Sequence, residues 1–229
     1  MKKALCLVIL LLTAAGLRAQ ERTLEKAEFE RVIGQSQQKY FGLSYRETET
    51  SDNSVGNNKV VSKFVWEFAG RNARRLFYQF DSPTIKTKKE IITIGGKTYT
   101  RTDDGEWIEG ATPPGSQPPA AQSPLETADD RTVYKSLGPE KLNETEMSVY
   151  ASEQTQKKID RARGQELFLT ITTKYWIDPD GRLVRKETVM ENLIKSEQNP
   201  EGRRFRHTRV AVWELDPNIR IEAPVAAAR

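Results

Sequence analysis

The sequence predicts an α+β fold that is mainly β: a strongly curved antiparallel sheet, an open or nearly closed barrel, with an amphipathic N-terminal helix and a short second helix covering its concave face. Three observations predict it. After Gly42, apolar side chains recur mostly with a period of two, the period of a half-buried strand. The joints between these runs are short and rich in Asp, Pro and Gly, so successive strands run antiparallel. The helical segments are too few to cover the apolar side of so much sheet, so the sheet has to curl.

The first element in the chain is not part of that fold. Lys2 and Lys3 precede an uncharged apolar run from Leu5 to Ala15, and Gly16-Leu17-Arg18-Ala19 leads into the polar Gln20-Glu21-Arg22. A basic start, a short apolar core and a small residue at the cut describe a secretory signal peptide. The run falls short of the roughly 20 residues a membrane-spanning helix needs. Residues 1–19 are therefore expected to be a signal cleaved after Ala19. Residues 20–229 are expected to form one domain, periplasmic or secreted.

Removing Lys2, Lys3 and Arg18 from the 36 basic residues leaves 33, against 32 acidic ones. The basic excess largely leaves with the signal, and no nucleic-acid partner is expected. Arg203, Arg204 and Arg206 form a small basic group that reads as a solvated strand end. Cys6 is the only cysteine. It lies inside the signal, without the small residues that precede a lipid-attachment cysteine, so the mature domain carries neither thiol nor disulfide.

Residues 22–41 have helical spacing, with Phe29, Val32, Ile33, Ser36 and Tyr40 on one side. Phe29, Val32 and Ile33 are the residues expected to dock this helix, either as core or as a lid. Strand-like runs follow at 59–69, 74–80, 90–100 (broken by Gly95-Gly96), 166–177, 182–194 and 204–215. In the first, Val60, Phe64, Trp66 and Phe68 share a face; in the second, Leu76, Tyr78 and Phe80 do. Asp103-Asp104-Gly105, Asp178-Pro179-Asp180-Gly181 and Asn199-Pro200-Glu201-Gly202 have the composition of tight turns. The Pro-rich stretch 112–124 reads as a flexible loop, and 124–136 as a short helix capped by Ser123.

Catalytic and metal-binding patterns are absent from the sequence. His207 is the one histidine and sits in a strand pattern; with no cysteine after residue 6, no typical zinc set can form. There is no nucleophile-elbow motif and no phosphate-cradling Gly-rich loop. Asp178-x-Asp180-Gly181 begins like a calcium loop, but Arg182 and Val184 take the next alternate positions and Val189 stands where a bidentate Glu belongs. Asn143-Glu144-Thr145 is a glycosylation sequon that matters only in a glycosylating host. A non-enzymatic protein without cofactor or metal is expected; a secreted hydrolase built on paired carboxylates is the least favoured alternative.

A sheet that curls around an incompletely filled apolar hollow is a ligand site by default. Phe64, Trp66, Phe68, Leu76, Tyr78 and Phe80 are the residues expected to line it. Three local patterns then resemble one family, the LolA/LolB-like superfamily of periplasmic lipoprotein carriers of the outer-membrane lipoprotein-sorting type. Ile94-Gly95-Gly96-Lys97-Thr98-Tyr99 through Gly105-Glu106-Trp107 is similar to one of its hairpins. Tyr175-Trp176-Ile177-Asp178-Pro179-Asp180-Gly181-Arg182-Leu183-Val184-Arg185 is similar to another. Ile219-Arg220-Ile221-Glu222-Ala223-Pro224 resembles its closing strand. The resemblance implies a half-barrel with helices over its mouth that holds lipid or lipoprotein acyl chains and has no catalytic residues. A monomer that can make transient membrane contact is expected. The Pro-rich loop at 112–124 departs from the family's pattern, which favours the wider class of carriers for lipid or another hydrophobic ligand. The alternative is a non-enzymatic envelope sensor or interaction module with an envelope protein as its partner.

Overall fold

The computed structural model describes residues 21–55, 58–110 and 126–225; the expected signal at 1–19 and the Pro-rich stretch at 112–124 lie outside the described residues. In chain order the elements are β1 (Arg22–Leu24), α1 (Lys26–Gln38), β2 (Tyr45–Val55), β3 (Asn58–Ala69), β4 (Ala73–Asp81), β5 (Lys86–Ile94), β6 (Lys97–Thr102) and β7 (Ile108–Glu109), then β8 (Glu126–Leu142), β9 (Thr145–Asp160), β10 (Gln165–Ile177), β11 (Leu183–Ser196) and β12 (Asn199–Leu215). Among the described residues, all twelve strands belong to one sheet, in the order β1-β8-β9-β10-β11-β12-β2-β3-β4-β5-β6-β7. Two runs of consecutive hairpins, β2 to β7 and β8 to β12, are sewn together where the last strand pairs antiparallel with β2. The sheet does not close on itself; β1 and β7 are its edges, and it forms an open, curved half-barrel.

Local chemistry explains the joints. Gly95 and Gly96 both have positive φ, 58° and 80°, the two-residue hairpin turn whose twist matches that of the flanking strands. Asn143 and Glu144 make the same kind of turn, at 48° and 66°, so the sequon is a hairpin tip. Between β10 and β11, the Asp178 carboxylate accepts from the Arg182 amide at 2.8 Å, and the Asp178 carbonyl accepts from the Gly181 amide at 2.9 Å.

Two expectations are corrected. The short second helix is not there: residues 126–142 are β8, hydrogen-bonded to β9 along one side and to β1 along the other. This stretch has weak local preference either way, and the partner strands decide it. The first helix is also shorter than 22–41. Arg22, Thr23 and Leu24 pair in register with Ser136, Lys135 and Tyr134, and the helix starts only after the extended Glu25. Pairing with β8 engages one side of the backbone of these residues while Leu24 is buried in the same core as the helix.

Register assigns the side chains to two faces. One face carries α1. Leu24, Phe29 and Ile33 are buried against Ile177 and Leu183, with Val32, Tyr134, Tyr150, Tyr175 and Trp213 packed around them. The Phe29 ring lies 4.8 Å from that of Tyr134 and meets Tyr175 edge-on at 5.6 Å. Tyr175 and Ile177 of β10, Leu183 of β11 and Trp213 of β12 lie near the ends of their strands, so on these strands the helix covers one end of this face.

The opposite face has its own packing. Ile219 and Ile221 of the C-terminal segment cover Ala73, Ile92 and Tyr99, and Met147, Val149 and Trp176 form a further cluster. Across β2 to β6, on the same face, runs a ladder of alternating charge: Arg46 reaches Glu67 at 2.8 Å, Arg75 meets Glu67 and Glu90 at 3.3 Å each, and Arg101 reaches Glu90 at 2.7 Å. One member stands on each of β2 to β6. A slip of one residue would turn every member to the other face, so the ladder pins the register.

Candidate functional site

Phe64, Trp66, Phe68, Leu76, Tyr78 and Phe80 fall on one face, the face that carries α1. Phe64 stands directly opposite Tyr78, Trp66 opposite Leu76, and Ser62 opposite Phe80. Tyr45 of β2 stands opposite Phe68. The Phe64 and Tyr78 rings stack at 4.6 Å, Tyr45 and Phe68 at 4.4 Å, and Trp66 and Phe68 at 6.4 Å. All six residues are partly accessible, and none belongs to a buried cluster. Of the helix residues, Phe29 and Ile33 are buried and Val32 is partly buried; all three pack towards β8–β12 rather than towards the aromatic stripe.

Sequence reasoning missed two neighbouring features of this face. Leu169 and Ile171 of β10, Met190 of β11 and Phe205 of β12 share it by register, which carries the apolar surface beyond the end covered by the helix. Between them and the aromatic stripe lies a polar strip. It consists of Glu47, Glu49, Ser51 and Asn53 on β2, with Arg209 and His207 on β12 and Lys186 on β11. Period two over Tyr45-x-Glu47-x-Glu49-x-Ser51 was the available signal, but both faces of β2 are polar and no apolar alternation marks it as a strand.

Beside the helix, the strip bounds a cavity of about 290 Å³ lined by Tyr40, Tyr45, Glu47, Glu49, Lys186 and Trp213, among others. Burial raises the Glu47 carboxyl above its ordinary range, and the neighbouring Glu49 adds to the shift; a hydrogen bond from Trp213 and the charge of Lys186 oppose it. Arg209 holds Glu49 at 3.2 Å.

Tyr40 closes the helix end of the cavity. Its hydroxyl donates to the Leu183 carbonyl at 2.9 Å, and burial, helped by Asp178, pushes its pKa from 10.0 to about 12. Because the folded value is the higher one, the stability held by the neutral phenol is complete below about pH 10 and is lost as the pH rises through about 12. Tyr40→Phe should therefore cost about 1 kcal/mol at neutral pH, the usual worth of one buried hydrogen bond. The gap to wild type should narrow in denaturant titrations run between about pH 10 and 12. An equal gap at both ends of that range would mean the phenol does not titrate in place.

His207 also lies on this face, with its Nε2 2.9 Å from the Ser51 hydroxyl. That is the reach of a nucleophile–base pair. Both residues, however, sit in strand interiors whose backbone is engaged by neighbouring strands on both sides, which leaves no pair of free amides there to stabilise an oxyanion. Among the described residues, no group of three or more His, Cys, Asp and Glu converges as a metal set.

No family model matches the chain, and no curated protein matches it. Among solved structures it is similar to LprF from Mycobacterium bovis, with 11% identity and a TM-score of 0.40, covering 88% of this chain and 98% of that one. It is also similar to the LolA superfamily protein NE2245 from Nitrosomonas europaea, with 10% identity and a TM-score of 0.28 over 81% and 91% of the two chains. A DUF1329 family protein from Desulfovibrio piger matches with 10% identity and a TM-score of 0.28 over 85% and 94%.

Proposed function

We propose that residues 20–229 are a single exported domain that holds lipid, lipoprotein acyl chains or another hydrophobic ligand on the helix-side face of its sheet, without catalysis. One observation carries this reading. Phe64, Trp66, Phe68, Leu76, Tyr78 and Phe80 share one face, stay partly accessible and belong to no buried cluster. An apolar surface that the protein's own core does not use is the kind of surface that marks a ligand groove. An acyl chain laid there gains roughly 0.8 kcal/mol per methylene removed from water. A dozen methylenes then give about 10 kcal/mol gross, before the ordering costs of binding. Reversible carriage fits that scale. Export brings such a domain to the cell envelope, where acyl chains are presented by membranes.

Native mass spectrometry of protein gently purified from the producing cell tests both halves of the reading. The expected spectrum shows a chain that begins near Gln20 and carries a lipid adduct. Titration of the stripped protein with a fatty acid should shift the tryptophan emission, because Trp66 lies in the stripe. A protein that purifies empty and binds neither fatty acid nor a hydrophobic dye would sink the carrier reading in favour of an interaction module.

A further inference from the structure

The acids of β2 border the aromatic stripe directly. Glu47 stands opposite Trp66 on one side and Trp213 on the other; Glu49 stands opposite Phe64 and Ala211. Both carboxylates open onto the cavity beside α1, together with the rings of Tyr40, Tyr45 and Trp213. A tail on the stripe therefore ends at two carboxylates and three aromatic rings.

The charges there are unevenly satisfied. Glu49 is neutralised by Arg209 at 3.2 Å, and its side chain is only 20% exposed. Glu47 receives a hydrogen bond from the Trp213 indole and feels the charge of Lys186, while the Lys186 ammonium sits 5.6 Å over the Tyr175 ring. Glu47 is thus a partly buried carboxylate beside an apolar surface, with no close ion pair among the described residues. An ammonium group is the complement of such a place, because it pairs with the carboxylate and binds aromatic π faces.

We propose that this cavity is a headgroup site, and that it selects amphiphiles whose head carries an ammonium beside a phosphate, as in phosphoethanolamine. The inference rests on the reading that the aromatic stripe takes the tail. The ammonium sits at Glu47 among Tyr40, Tyr45 and Trp213. The phosphate faces Lys186 and Arg209 on the β11–β12 side. At about 290 Å³ the cavity takes a headgroup rather than a whole lipid, which leaves the chains to the open face. A purely anionic head is disfavoured, since it would approach Glu47 and Glu49 without a cation to offer them.

The test compares lysophosphatidylethanolamine with lysophosphatidylglycerol of the same acyl chain, and with the free fatty acid, on the intact mature protein. Wild type should bind the ethanolamine lipid at least about tenfold tighter than the glycerol lipid, the usual effect of one charge-assisted contact in a shielded site. Glu47→Gln should bring the two affinities to within about twofold of each other. Equal affinities in wild type, tighter binding of the glycerol lipid, or a preference that survives in Glu47→Gln would each overturn the headgroup site while leaving the acyl reading intact. If none of the three probes binds, the acyl reading itself fails and the headgroup site with it. The wild-type comparison is decisive by itself should the variant not fold.

Discussion

The double variant Phe64→Glu, Tyr78→Glu is expected to fold and to lose acyl-chain binding by more than about 100-fold, since even a neutral polar group left unpaired against an apolar chain costs roughly 1–3 kcal/mol and a charge costs more. The two rings face each other across β3 and β4 and stack at 4.6 Å, so both carboxylates land in the middle of the stripe. Their mutual repulsion, directly across a strand pair, adds to the cost of a bound chain. The fold survives because neither residue is part of the clusters that hold the sheet and helix together. The melting temperature should fall by no more than a few degrees, the scale of a change of about 1 kcal/mol in a chain of this size. Ile85→Glu is the control: Ile85 is 56% exposed in the turn before β5, and its charge should leave binding unchanged. Wild-type affinity in the double variant would remove the stripe from the binding surface.

How far this face could be read from sequence depends on the strand. On β3 and β4 the alternation is sharp, because one side is aromatic and the other carries Lys63, Glu67 and Arg75. The stripe was legible for that reason. The strands β2, β8 and β9 carry few apolar residues; in β9, Thr145 to Asp160 holds only five: Met147, Val149, Tyr150, Ala151 and Ile159. Such a strand is held by neighbours on both sides, and the information that makes it a strand lies in those neighbours. A helix was therefore expected at 124–136, where the strand Glu126–Leu142 forms. Turn chemistry was more local. Gly95-Gly96 and Asp178-Pro179-Asp180-Gly181 sit where the chain reverses, because the residues that permit the backbone angles are the turn itself. The polar strip of Glu47, Glu49 and Arg209 was beyond reach for a further reason. Its members meet only because β12 returns to pair with β2, and nothing local in either segment announces that pairing.

Leu183→Ala should be among the most destabilising single truncations in the domain, by about 3–5 kcal/mol. Leu183 is fully buried, and it sits where the sheet, the helix and the headgroup cavity meet. It packs with Leu24, Phe29, Ile33 and Ile177, its carbonyl accepts the Tyr40 hydroxyl, and it lines the cavity beside α1. Removing its side chain leaves a hole between helix and sheet that neither can easily fill, because β10 and β11 are fixed around it by their own register. At roughly 2–4 °C per kcal/mol, the melting temperature should drop by about 6–20 °C. Leu183→Met, close in volume, should cost less than about 1.5 kcal/mol. Amide exchange should show where the loss is felt: α1 should open more readily, while the β3–β6 end, packed under Ile219 and Ile221, keeps its protection. The two ends of the sheet would then be separately anchored, with the helix end the one that loosens. A melting shift under about 2 °C for Leu183→Ala would mean that the helix is not docked on this core, and α1 could then form no wall for a headgroup.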